Sequence, residues 1–122
     1  MEISEHLDKI QSLGFQPVLY WNNSFQITYE VENINYNFNQ YPVDLKIMMC
    51  NFQESYSNLY TYEDMLEVCC DIFYGWYNKN LHIIKELDTI ADFQSYTNLE
   101  DIVMGDITKV VARELNLSDL LD

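Results

Sequence analysis

Two histidines, His6 and His82, and three cysteines, Cys50, Cys69 and Cys70, are the side chains best suited to nucleophilic, proton-transfer or metal chemistry. Their spacing supports none of these. Neither histidine stands in a His-x-x-x-His, Glu-x-x-His or Cys-x-x-Cys context, the spacings that bring ligands to one ion. Both read as surface or boundary residues. Cys69 and Cys70 fall inside an apolar helical pattern, Cys69 on its apolar face and Cys70 at its margin. An activated thiolate wants positive charge beside it, and the neighbours here are carboxylates. The chain has no G-x-x-x-x-G-K-[ST], G-x-G-x-x-G or G-x-S-x-G, and no D-x-[DN]-x-[DN]-G calcium loop. The expectation is a protein that is not an enzyme, with no catalytic residue, no cofactor and no metal site.

Carboxylates offer a different chemistry. At 100° per residue, Glu63, Glu67 and Asp71 form one ladder on a helix, with Asp64 beside it. Successive carboxylates at i,i+4 stand about 5–6 Å apart, close to the spacing of phosphates along a nucleic-acid strand. No Lys or Arg lies between Lys46 and Lys79, so nothing local in sequence neutralises the ladder. N-terminal acids also favour the helix dipole, but Asp71 lies beyond the first turn. Tyr74 falls on the acidic side of the same helix, between Glu67 and Asp71, and Tyr60 precedes the helix. Exposed rings among acids compose a recognition surface, where a ring anchors and charge steers. Glu63, Asp64, Glu67, Asp71, Tyr74 and Tyr60 are therefore the candidate partner-binding residues. Further acids at Glu86, Asp88, Asp92, Glu100, Asp101 and Asp106 are partly balanced by Lys109 and Arg113 and read as solvation.

These residues need elements to hold them. Ile3, Leu7, Ile10 and Leu13 recur at helical spacing, and Gly14 sits where a C-terminal left-handed residue belongs. Leu19 and Trp21 precede a turn at Asn22-Asn23. Phe25, Ile27, Tyr29 and Val31 then alternate with polar residues. A third alternating run is Ile34, Tyr36 and Phe38 against Asn35, Asn37 and Asn39. A fourth is Val43, Leu45, Ile47 and Met49. Thr61 and Asp64 resemble a capping box opening a helix that runs to about Asn78, with Met65, Leu66, Cys69, Phe73, Trp76 and Tyr77 on its apolar face. Ile83 to Ala91 suggests another short helix, though 81–93 could include a strand. Thr97 with Glu100 caps a last helix through Leu115, tolerating Gly105. The pattern predicts one α+β domain over 1–122. It is an antiparallel β-meander of three to four strands with helices packed on one face, in the order α-β-β-β-β-α-α-α.

The charge balance bounds the partners. Against 20 Asp and Glu there are 6 Lys and Arg, a net charge of −14, well beyond the roughly 2–8 units that solubility needs in a small domain. Abundant Asn, Tyr and Ile suggest AT-rich coding, which would normally enrich Lys. Its scarcity implies that cations were excluded. Direct nucleic-acid binding is disfavoured, because phosphates would meet like charge. The first residues have neither the basic nor the apolar stretch of a secretory signal, and no apolar run approaches the length of a membrane span. Three cysteines, two adjacent, make no disulfide framework. The expectation is a cytoplasmic protein with no membrane contact, a monomer more than an oligomer.

Small size, strong acidity, excluded cations, an acidic helix ladder with Tyr, and the Asn/Tyr usage together resemble phage-encoded anti-CRISPR and anti-restriction inhibitors. The resemblance lies in overall character and in residues 61–78. It implies a nucleic-acid mimic that occupies the basic DNA-binding surface of a nuclease or of a CRISPR effector such as a Cas9-type protein, inside a host cell. An immunity protein against a nuclease toxin would share the same physics. The alternative from another class is a small phage or bacterial accessory or structural protein, using its aromatic sheet as a homo-oligomer, whose acidity is incidental.

Overall fold

The computed structural model describes residues 2–20, 24–34, 36–51, 60–84, 86 and 103–121, with side chains of the last stretch through Asn116. Helix α1 (Ile3–Ser12) buries His6 and Ile10. It ends as the glycine predicts. Gly14 takes φ +94, its N–H bonds Gln11 O at 3.0 Å, and the Phe15 N–H bonds Ile10 O at 3.2 Å. This double closure satisfies the last carbonyls and turns the chain inward. Phe15 is thereby driven into the core, where it meets Tyr29, Phe73, Trp76 and Tyr77 with ring centroids 4.9–5.9 Å away.

Strands β1 (Gln16–Leu19), β2 (Ser24–Ile34) and β3 (Gln40–Asn51) follow as an antiparallel meander. The turn expected at Asn22-Asn23 lies outside the described residues, but the Tyr20 N–H bonds Ser24 O across it at 2.9 Å. In β2–β3 the pairs Ile27↔Met48 and Thr28↔Lys46 leave Ile47 as an extra residue on β3. This bulge lets Ile47 and Met48 both be buried, which strict alternation forbids.

The third expected strand does not form. Ile34 closes β2, and residues 36–39 are turn and loop. Asn37 and Asn39 instead take the turn and loop conformations that Asn supports. Phe38 occupies the left-handed region at φ 61, at a cost of about 1–2 kcal/mol.

Helix α2 (Tyr62–Ile84) opens on the expected capping box. Asp64 N–H donates to Thr61 Oγ1 at 3.1 Å, and Thr61 N–H donates to Asp64 Oδ2 at 3.4 Å. The helix does not stop near Asn78. Asn80 is buried and donates Nδ2–H to Trp76 O at 2.9 Å, so its amide is satisfied within the helix. Ile83 and Ile84 belong to α2, whereas residues 87–102, including the Thr97 capping box, lie outside the described residues.

The expected last helix does not run through 103–107. Gly105 sits at φ +70 in a two-residue strand, β4 (Gly105–Asp106), parallel to β3 at Met48 and Met49. Helix α3 (Thr108–Leu121) starts immediately after. Asp106 Oδ1 accepts from the Thr108 N–H and hydroxyl at 2.9 and 2.6 Å, and the Asn51 N–H donates to Thr108 Oγ1 at 2.8 Å.

The result is α+β. A four-stranded sheet in the order β1-β2-β3-β4, antiparallel except for β3–β4, packs with three helices among the described residues, in chain order α-β-β-β-α-β-α. One cluster joins Phe25, Ile27, Met48 and Cys50 of the sheet to Leu66, Cys69 and Phe73 of α2, Ile10 of α1 and Val111 of α3. No helix among the described residues is long and apolar enough to cross a membrane.

Candidate functional site

The acidic ladder rides on a helix held by its apolar side, where Leu66, Cys69 and Phe73 are wholly buried. Glu63, Asp64 and Asp71 are exposed. The Asp64 carboxylate also takes part in the N-terminal cap. Glu67 differs from its neighbours because α1 docks beside it.

His6, expected at the surface, is 2% exposed and bridges the two helices. Its Nε2 lies 2.8 Å from Glu67 Oε2 and its Nδ1 lies 2.7 Å from the Tyr74 hydroxyl. An ionised carboxylate only accepts, so Nε2 carries the hydrogen. When the ring is neutral, Nδ1 is then an acceptor and the Tyr74 O–H donates to it. The imidazole also stacks on Tyr74, with centroids 5.8 Å apart. Lys9, one turn further along α1, holds its ammonium 4.1 Å from the Tyr74 ring centroid, within cation–π range.

Tyr74 is therefore not the free ring that its helical angle suggested. It is half-buried and clamped by α1, and Tyr60 is likewise half-buried against the core. A cation does stand beside this ring. Lys9 reaches it from α1, far away in the sequence. The reason is tertiary, since the flank of α1 that carries Lys9 faces α2.

The chain Glu67–His6–Tyr74 has the order of a carboxylate–imidazole–hydroxyl relay. Its electrostatics oppose that use. Burial, then the nearby Cys70, Asp71 and Glu67, raises the Tyr74 hydroxyl above its ordinary value, so the phenol keeps its proton and serves as donor. The His6 bond holds Glu67 below its ordinary value, against some desolvation. Burial, with Asp71 and Glu67 adding to it, pushes the Cys70 thiol up to about 12. Cys50 and Cys69 share a thiol–thiol hydrogen bond. That bond lowers Cys50, which accepts it, and together with burial raises Cys69. All three cysteines are free and buried. Among the described residues no group of three or more His, Cys, Asp or Glu is arranged to hold a metal ion.

The structure thus brings together Glu67, Tyr74, His6 and Lys9 as a fastened seam. On either side of it Glu63, Asp64 and Asp71 face solvent on α2, while Glu2, Glu5 and Asp8 face solvent on α1. Asp71 also borders an open groove of about 470 Å³ with Trp76 and Lys79. Among the described residues His6–Glu67 is the single contact at ion-pair distance between a carboxylate and a basic side chain, so no described carboxylate lies within pairing distance of a Lys or Arg. His6 and Lys9 were missed as site residues. Their signal was faint, a histidine at the edge of an apolar stripe with a lysine three positions on.

No protein-family model, curated protein or solved structure matches the chain.

Proposed function

We propose that this protein is a non-catalytic acidic inhibitor. On this reading the carboxylates of α1 and α2 take the place of phosphates on the basic nucleic-acid-binding surface of a nuclease or a Cas9-type CRISPR effector. One observation carries the reading: a chain of net charge −14 leaves its described carboxylates unpaired except for Glu67. Ordinary acidic surfaces are partly dissipated by internal Lys and Arg pairs. Here the field stays available to a cationic partner, where it would steer association. The burial of His6 and the clamping of Tyr74 fit a surface of fixed shape, since α1 and α2 present their acids as one seamed unit. Tyr60 and Tyr74 would contribute the rigidity of that unit more than a free anchor.

The test is competition. A guide-loaded Cas9-type effector and a basic restriction endonuclease are each titrated with the protein in the presence of labelled target DNA. The expected result is displacement of DNA from one of them, weakened by salt, with no binding of the protein to DNA itself. Reversing Glu63 and Asp71 to Lys spares the Glu67–His6 bond, so the fold is retained. Affinity should fall by more than the roughly 1 kcal/mol of an exposed pair, mainly through a slower on-rate. Binding to DNA by the wild type, or failure to displace it from either enzyme, would refute the reading.

A further inference from the structure

The β2–β3 hairpin reaches past the rest of the sheet. Pairing with β1 ends at Thr28, and β4 touches β3 only at Met48 and Met49. Beyond these points the two strands bond only to each other among the described residues. From Ile34 to Pro42 every described residue is exposed. This tip is also where exposed apolar surface concentrates: Ile34, Tyr41, Phe38 at 86% and Tyr36 at 101%. Each of these rings offers about 150–250 Å² for burial, and neither joins the core.

The backbone adds an independent sign. Phe38 is held at φ 61 between Asn37 and Asn39, residue types that adopt this conformation more readily. The strained position is thus occupied by the side chain with most to gain from a partner. The tip is also braced, because Asn33 Nδ2 donates to the Tyr41 hydroxyl at 2.7 Å and the Asn33 side chain accepts from the Ile34 N–H at 2.9 Å.

Behind the rings the hairpin is acidic. Glu30 and Asp44 stand opposite one another in the register, Glu32 follows on the same face, and Lys46 is the one cation of β2 and β3. A second copy would bring another −14 chain against this charge. Nucleic acid would meet it with phosphates, although rings can stack on bases. We infer that the tip is an anchor, Tyr36 and Phe38 inserting into an apolar cleft rimmed by Lys and Arg on a partner protein. The inference rests on the proposed docking to a basic nucleic-acid-handling protein and adds the element that would set how long the complex lasts.

The test measures binding kinetics of wild type, Tyr36→Ser, Phe38→Asn and the Glu63→Lys/Asp71→Lys variant on the same guide-loaded effector and restriction endonuclease. Phe38→Asn relieves the left-handed strain, so it should unfold no more easily than wild type. A purely structural role would not combine retained stability with lost binding. Each tip variant is expected to weaken binding about 30-fold or more through a faster off-rate, with salt dependence unchanged. The charge variant should instead slow the on-rate. Tip variants that bind as tightly as wild type, while the charge variant does not, would overturn the anchor and leave the acidic reading standing. Binding to neither protein would overturn both. A wild-type dimer that Phe38→Asn converts to a monomer would assign the tip to a second copy, and tip-dependent binding of single-stranded DNA would assign it to nucleic acid; either result overturns the inference.

Discussion

Replacing His6 with Leu tests whether the seam between α1 and α2 contributes to stability. Leu fills most of the space of the ring, so the loss falls on the two hydrogen bonds rather than on a cavity. A bond to an ionised carboxylate contributes about 1.5–3 kcal/mol and a neutral one about 0.5–1.5. The Glu67 side chain is 43% exposed, so water replaces part of its lost bond, and about 1 kcal/mol is the appropriate figure. The hydroxyl of half-buried Tyr74 adds about 1 kcal/mol more. The expected cost is about 2 kcal/mol, or roughly 6–10 °C in Tm for a chain of this size. Tyr74→Phe alone should cost about 1 kcal/mol. The double variant should fall short of the sum by about 1 kcal/mol, because the same bond is not lost twice.

Acid sensitivity provides a second axis for the same test. His6 holds the Glu67 carboxyl below its ordinary value of 4.5. A depressed native value means that the group's contribution is fully present above the ordinary value. It is lost as pH falls through the depressed one. Between pH 6 and pH 3 the wild type should therefore lose more stability than Glu67→Gln, and His6→Leu should remove the same increment. Urea unfolding followed by circular dichroism and Trp fluorescence measures all of these. If His6→Leu were as stable as wild type, or the two substitutions added within about 0.3 kcal/mol, the seam would be a contact without energetic weight.

Two glycines should respond in opposite directions. Gly105→Ala forces a β-carbon onto a backbone at φ +70 and should destabilise by about 1–2 kcal/mol, whereas Gly75→Ala, exposed in α2 with nothing beyond its own stretch of helix within 4 Å of the new carbon, should stabilise by about 0.5–1 kcal/mol; thermal melts decide both. The three buried thiols, with Cys70 raised to about 12, should be unreactive to a thiol reagent at pH 8 in the native protein and titrate fully in denaturant. Rapid labelling of the native protein would show that one of them is accessible.

Much of the fold was readable wherever a local rule and the tertiary outcome coincide. Gly14 closes α1 as its position implied, Thr61 and Asp64 cap α2, and the alternation of Phe25 to Val31 against Val43 to Met49 becomes the central hairpin. Failures arose where one residue type serves two structures. Asn35, Asn37 and Asn39 fit the polar face of a strand by period, yet Asn also supports loops. With β2 and β3 already paired, the stretch between them had to reverse direction. The Ile47 bulge and the parallel strand at Gly105–Asp106 leave no periodic trace. A two-residue strand has no alternation, and its partner Met48 lies more than fifty residues away.

The site shows the same division more sharply. Spacing alone places Glu63, Glu67 and Asp71 on one row of a helix, because 3.6 residues per turn is a local property. Whether a carboxylate on that row is free depends on what docks beside it. His6 and Lys9 come from a helix whose own pattern says only that one flank is apolar. Once α1 is in place, Glu67 and Tyr74 become a joint, while Glu63, Asp64 and Asp71 remain outward. Exposed charge on α2 is therefore what remains after α1 has taken its share. This is why reversing Glu63 and Asp71 can probe binding, whereas reversing Glu67 would loosen α1 and confound binding with folding. The tip rings follow the converse logic. Alternation with Asn puts Tyr36 and Phe38 on the apolar face of a strand, and such faces are usually buried. Both stay exposed, so the apolarity that suggested core becomes the strongest apolar surface signal among the described residues.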